Sequence, residues 1–118
     1  MLKSYIAFDV ETTGLNPLED EILEIGALKV REGRVAERFM EFIRPTLSVP
    51  PAITALTGIT DEMVAGARSR RQVVADFLDF CGDDILIGHN VSLFISSEFG
   101  GRDVSCSLCP CRWPLRRG

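Results

Sequence analysis

The chain's 118 residues hold 17 acidic and 13 basic side chains and are 46% hydrophobic, which are the proportions of one ordinary domain and too few residues for two. No apolar run approaches the roughly 18 to 20 residues that span a bilayer, so no membrane segment is expected. A net charge of −4 argues against holding nucleic acid by bulk electrostatics, yet it leaves room for an enzyme that places cations over clustered carboxylates.

Met1 to Tyr5 leads directly into a strand-like run with no long apolar stretch or cleavage site, so a cytoplasmic setting without a secretory leader is expected. From Ser4 to Glu11, Ile6, Phe8 and Val10 alternate with Tyr5, Ala7, Asp9 and Glu11, the pattern of a strand with one apolar face. Turn residues follow from Thr12 to Pro17. A second β-rich run covers 21–30, Glu32-Gly33 forms a tight connection, and a third strand covers 35–43, where Val35, Phe39 and Ile43 are interleaved with charges. Three consecutive strands on short turns predict an antiparallel meander.

The punctuation becomes helical at Pro50. Pro51 to Leu56 fits a short helix that Gly58 closes, and a second starts at Thr60 as N-cap with Asp61 and Glu62 in its first turn. A third runs from about Ser69 to Cys81, with Val73, Val74, Phe77, Leu78 and Phe80 on one broad side and Gly82 stopping it. Residues 84–88 then read as a short buried strand of the parallel kind.

Beyond Ser92 the composition changes. Residues 1–92 carry 15 acidic and 9 basic side chains, whereas residues 93–118 carry 2 and 4, so an acidic front joins a basic tail. Cys106, Cys109 and Cys111 crowd together beside Pro110 and Trp113, while Cys81 stands alone. A zinc site on these cysteines would need a fourth ligand, and the single histidine, His89, lies far upstream. Three free thiols in a poorly ordered tail is the favoured reading, with no stable element expected there.

Asp9 and Glu11 carry the chemistry. At i and i+2 on a strand both carboxylates share one face, and like charges that close repel unless a cation intervenes. Hard oxygen ligands on a rigid strand suit Mg²⁺ or Mn²⁺. The alternative is two solvated acids on an exposed face.

The run Phe8-Asp9-Val10-Glu11-Thr12-Thr13-Gly14 resembles the first motif of the DnaQ-like, DEDD-type 3'-5' exonucleases. Residues 22–27 resemble that family's second strand, residues 50–61 its substrate-contacting helix and turn, and residues 86–91 the start of its second motif, so the likeness covers residues 3–92. The run from Phe42 to Val64 is most similar to exonuclease domains associated with bacterial replicative polymerases. The resemblance implies an α/β, ribonuclease H-like fold: a mixed sheet with an antiparallel meander and then helices, incomplete at the C-terminus. Residues 1–92 would be the N-terminal part of the exonuclease domain and residues 93–118 a divergent tail.

It further implies two-metal hydrolysis of nucleotides from single-stranded DNA 3' ends, with RNA as the other substrate and a replicative DNA polymerase as a partner. Asp9 and Glu11 would be the catalytic metal ligands for Mg²⁺ or Mn²⁺. The backbone of Thr12, Thr13, Gly14 and Leu15 would contact the terminal nucleotide, and Leu56 and Ile59 would pack against its base, with core packing as the competing role for both. His89 and Asn90 would lie near the substrate, His89 as a structural or substrate-side residue rather than the general base. Glu24 is expected to support local structure.

The family pattern then breaks. After Asn90-Val91 the family has a phenylalanine and a metal-binding aspartate, whereas this chain reads Ser92-Leu93-Phe94-Ile95. A later base histidine and a final aspartate are also missing, and neither Glu98 nor Asp103 has the context of a substitute. A deletion, frameshift or early stop is the expected origin of residues 93–118. The chain is accordingly expected to be a degenerate exonuclease with little turnover, the alternative being a nonenzymatic module that binds nucleic acid or a partner.

Overall fold

A computed structural model describes residues 3–14, 16 and 19–88, together with the backbone of 104–106 and 112–113. Three antiparallel strands, β1 (Ser4–Thr12), β2 (Ile22–Arg31) and β3 (Arg34–Phe42), form the expected meander. Glu32 and Gly33 make the turn between β2 and β3, both with positive φ, which matches the twist of a two-residue hairpin. The helices α1 (Pro51–Thr57), α2 (Asp61–Ala65) and α3 (Arg70–Cys81) follow, and β4 (Leu86–Gly88) then returns beside β1 in parallel.

Local chemistry sets the helix boundaries. Pro51 opens α1 and the Gly58 N–H closes it on the Thr54 carbonyl at 2.8 Å. Thr60 caps α2 by accepting the Met63 N–H at 3.3 Å. Ser69 caps α3 reciprocally with Gln72, whose N–H donates to Ser69 Oγ at 3.3 Å.

One face of the sheet carries the main core. Ile6, Phe8, Ile25 and Ala27 pack against Val73, Val74, Phe77 and Cys81 of α3, and Leu86 extends the layer through β4. Lys29 lies on this face too, its ammonium 4.7 Å from the Phe80 ring centre and 3.3 Å from Glu37, so its alkyl stem covers apolar surface while the charge stays paired. A bulge at the start of β2, opposite the end of β1, redirects the chain: Glu11 pairs with Glu24, but Thr12 pairs with Ile22. Strict alternation would put Ile22 and Ile25 on opposite faces, and the bulge brings both into the main core. Leu23 is thereby turned into a second cluster with Val49, Ile59 and Val64, which seats the α1–α2 segment at the end of β1 that carries the acids.

The sheet order is β3-β2-β1-β4-β5-β6, where β5 (Val104–Cys106) pairs parallel to β4 and β6 (Arg112–Trp113) pairs antiparallel to β5. Against the expectation of no stable element there, residues 104–106 and 112–113 add two short strands to the sheet. These pieces are two and three residues long and gain their conformation from pairing with the sheet, a tertiary cause that leaves no local periodicity. Cys109 and Cys111 lie outside the described residues. Among the described residues no helix is long and apolar enough to cross a membrane.

Candidate active site

The sheet face opposite α3 holds the acids. Asp9 sits across from Gly26, and Glu11 sits across from Glu24, so β1 and β2 together present three carboxylates to one open cleft. The cleft has a volume of about 640 Å³; Ala7, Leu28 and Met40 form much of its apolar floor, and Arg38 supplies its positive charge. Asp9 Oδ1 accepts the Val10 N–H at 2.9 Å, which orients that carboxylate on the strand.

The charge of Asp9 acts on both glutamates. Partial burial, and then the Asp9 charge, hold the Glu11 carboxyl above the ordinary carboxylate range. Glu24 is raised as well, first by burial and then by Glu11 and Asp9. Sequence reading gave Glu24 a supporting role; the structure places it in the cluster itself. The signal available was an acid in the middle of an otherwise apolar strand, but its partner across the ladder is a tertiary fact.

Because these folded-state pKa values are raised, the folded chain binds more protons than the unfolded one between the ordinary and the raised values. The contribution of Glu11 and Glu24 to stability is therefore fully present below the ordinary carboxylate pKa and is lost as pH rises through the raised values. Like charges directly across a strand pair cost roughly 0.2 to 1 kcal/mol. Glu24→Gln is expected to raise the thermal midpoint at neutral pH and to flatten this part of the pH dependence, as thermal melts across a pH series would show. An unchanged neutral-pH midpoint would mean that the repulsion is already relieved in the wild-type chain.

The chemistry of the donors fits a divalent cation in part. Mg²⁺ is commonly held by one or two carboxylates with water and phosphate oxygens completing its shell, and Asp9 and Glu11 supply such a pair on one rigid strand. Among the described residues no group of three His, Cys, Asp or Glu side chains is assembled as a metal site.

The other residues expected at the site are distributed differently. Thr12 Oγ1 donates to the Gly14 carbonyl at 2.6 Å, and Thr13 Oγ1 accepts the Glu21 N–H at 2.9 Å while donating to Asp20 Oδ1 at 3.1 Å. Both hydroxyls thus shape the loop. Leu56 is 81% exposed, so core packing is not its role. Ile59 is 3% exposed inside the second cluster, where it packs with Leu23, Val49 and Val64. Leu15, His89 and Asn90 lie outside the described residues.

Residues 6–98 match the RNase T family model, described as exonuclease. The chain is 45% identical over 103 residues to a PolC-type DNA polymerase III of Latilactobacillus sakei, covering 85% of this chain and 7% of that protein. It is 43% identical over 90 residues to the corresponding protein of Bacillus subtilis, covering 76% of this chain and 6% of that one. The chain thus spans a small fraction of the length of these relatives.

Among solved structures, Escherichia coli exonuclease I in complex with a dA16 oligonucleotide superposes with a TM-score of 0.68 at 19% identity, covering 80% of this chain and 22% of that one. A second exonuclease I structure, of an SSB/exonuclease I system with an inhibitor, gives a TM-score of 0.72 at 16% identity over 84% of this chain and 24% of that one. At such identities the likeness speaks for the fold, and the expected ribonuclease H-like mixed sheet is what it shows.

Proposed function

The chain belongs to the RNase T exonuclease family, and from that premise we propose that its cleft binds the 3' end of single-stranded DNA and carries the acidic half of a phosphodiester-hydrolysing site. The observation that supports this most directly is the convergence of Asp9, Glu11 and Glu24 on one open cleft, at a cost in repulsion that a structural role for these acids would not require.

Asp9 and Glu11 would hold Mg²⁺ or Mn²⁺, with Glu24 adding negative charge behind them. Two such cations, when bound, supply charge neutralisation and water activation for in-line displacement at phosphorus. The chain's own residues supply the rest. Asp9, oriented by its hydrogen bond to the Val10 amide, and Glu11, fixed by its place in the ladder, keep the carboxylate geometry rigid before any ligand arrives. The backbone from Thr12 onward borders them and offers polar groups to a terminal nucleotide, and exposed Leu56 offers an apolar contact for its base. A replicative DNA polymerase is the partner that the PolC-type relatives suggest.

Leu93 and Phe94 stand where the family resemblance calls for a phenylalanine and an aspartate. An absent charged group in such a site costs on the order of 10² to 10³ in rate. We therefore assign this chain binding of 3' ends with little or no turnover. The test is a magnesium-dependent assay on 5'-labelled single strands, with Asp9→Ala as the control. Robust hydrolysis that Asp9→Ala abolishes would overturn the assignment of an inert site while retaining the exonuclease reading. Failure of the chain to bind such strands at all would remove both.

A further inference from the structure

The loop between β1 and β2 is held by one side chain that neither the family match nor the sequence reading assigns. Asp20 Oδ1 accepts the Thr13 hydroxyl at 3.1 Å, and Asp20 Oδ2 accepts the Asn16 N–H at 2.9 Å. The Asp20 and Glu19 amides both donate to the Asn16 carbonyl, at 2.7 and 3.1 Å, which closes the turn on itself. Thr13 is fixed a second time by the bond between its own N–H and the Glu21 carbonyl at 2.9 Å.

Gly14 lies under this carboxylate. A Cβ built on Gly14 would sit 2.6 Å from Asp20 Cγ and 2.8 Å from Asp20 Oδ1, closer than real Cβ contacts come. Its φ is not in the left-handed region, so what a side chain here would disturb is the Asp20 carboxylate, which it would push away from its two hydrogen bonds. Gly14 and Asp20 therefore form a lock: the missing side chain lets the carboxylate lie against the main chain, and the carboxylate fixes residues 13 and 16 on either side. Residue 12 is the last of β1, directly after Glu11, so the lock determines where the loop backbone sits relative to the catalytic carboxylates.

We propose that Asp20 is a positioning residue that presets the backbone of residues 12–14 and 16 to receive the 3'-terminal nucleotide. This rests on the reading of the cleft as a 3'-end site. It touches no substrate and acts through Thr13, Gly14 and Asn16. The charge of Asp20 is incidental to this role, and its shape and two hydrogen bonds are what count. An asparagine can keep both bonds: its Oδ1 accepts from the Asn16 amide, and its Nδ2 donates to Thr13 Oγ1, which can rotate to accept.

The test measures binding of a short oligodeoxythymidine, fluorescent at its 5' end and with a free 3'-hydroxyl, to the full chain in Mn²⁺. Asp20→Ala is expected to weaken binding about tenfold, a loss of about 1.4 kcal/mol, and Asp20→Asn is expected to stay within about threefold of wild type, the remainder of the same scale. The lock itself is read by a double-mutant cycle on thermal stability. Gly14→Ala should lower the midpoint alone, by displacing the Asp20 carboxylate from its hydrogen bonds, and less in the Asp20→Ala background, because the clash has gone. Additive effects in that cycle, or wild-type binding retained by Asp20→Ala, would overturn the positioning role while leaving the 3'-end reading intact. A wild-type chain that binds no oligonucleotide overturns both, even where the cycle shows coupling.

Discussion

Phe77→Ala is expected to destabilise the chain by about 3 to 5 kcal/mol, the range for truncating a buried aromatic side chain. Native domains are held by only about 5 to 15 kcal/mol, so this one change would remove a large share of the chain's stability. Phe77 is fully buried, and its ring lies 5.5 Å from those of both Phe8 and Phe39, at tilted angles of 48° and 58°. It therefore joins α3 to β1 and to β3 at once. Phe39 continues the stack to Phe80, again at 5.5 Å. Removing Phe77 opens a cavity that no described neighbouring helix is placed to fill, because α3 supplies all the helical residues of the main core. Phe77→Leu retains apolar volume and should cost distinctly less. Urea unfolding measures both, and an Asp9-bearing strand that is properly seated in one variant but not the other links the core to the site. Midpoints within error of wild type for Phe77→Ala would show that the α3 layer is not what holds the sheet.

The dependence of site on core explains which features could be read from the chain alone. Ile6, Phe8 and Val10 alternate cleanly with Ala7, Asp9 and Glu11, so both the strand and the shared face of the two acids follow from a period of two. Thr60, Ser69, Gly58 and Gly82 mark helix ends by local hydrogen bonding and backbone freedom, and the structure uses all four at those places. Features that depend on a partner strand were not legible. The bulge that carries Ile22 and Ile25 to one face and turns Leu23 away cannot be inferred from an apolar run, where every register looks equally hydrophobic. Glu24 joins the acidic cluster only because the ladder sets it opposite Glu11. Leu56 and Ile59 were indistinguishable as two apolar residues in one short segment, yet Ile59 faces Leu23 and Leu56 faces outward. Nothing in the sequence singles out Asp20, because its contact with Gly14 is set by how the loop closes.

The acidic cluster predicts an unusual pairing of effects on stability. In cation-free solution Asp9→Ala should raise the thermal midpoint slightly, since the Asp9 charge works against ionised Glu11 and Glu24. In the wild-type chain, Mn²⁺ should relieve the same repulsion by binding. At a free concentration ten times its dissociation constant, a cation that binds only the folded state stabilises it by about 1.4 kcal/mol. For a chain of this size each kcal/mol moves the midpoint by roughly 4 to 8 °C. Asp9→Ala should lose that response, so the variant is the more stable chain without metal and the less stable one with it. Glu11→Gln should behave alike, because it removes the other member of the pair. Protonation competes with the cation for the same oxygens, so the wild-type response should be full at neutral pH and shrink as pH falls through the raised pKa values of Glu11 and Glu24. Differential scanning fluorimetry with and without Mn²⁺ at several pH values measures all of these. Glu24→Gln separates the remaining roles: a retained Mn²⁺ response makes Glu24 an electrostatic neighbour, and an abolished one makes it a ligand. A wild-type midpoint indifferent to Mn²⁺ at neutral pH would refute cation binding by Asp9 and Glu11, and the acids would then be explained as a solvated strand face.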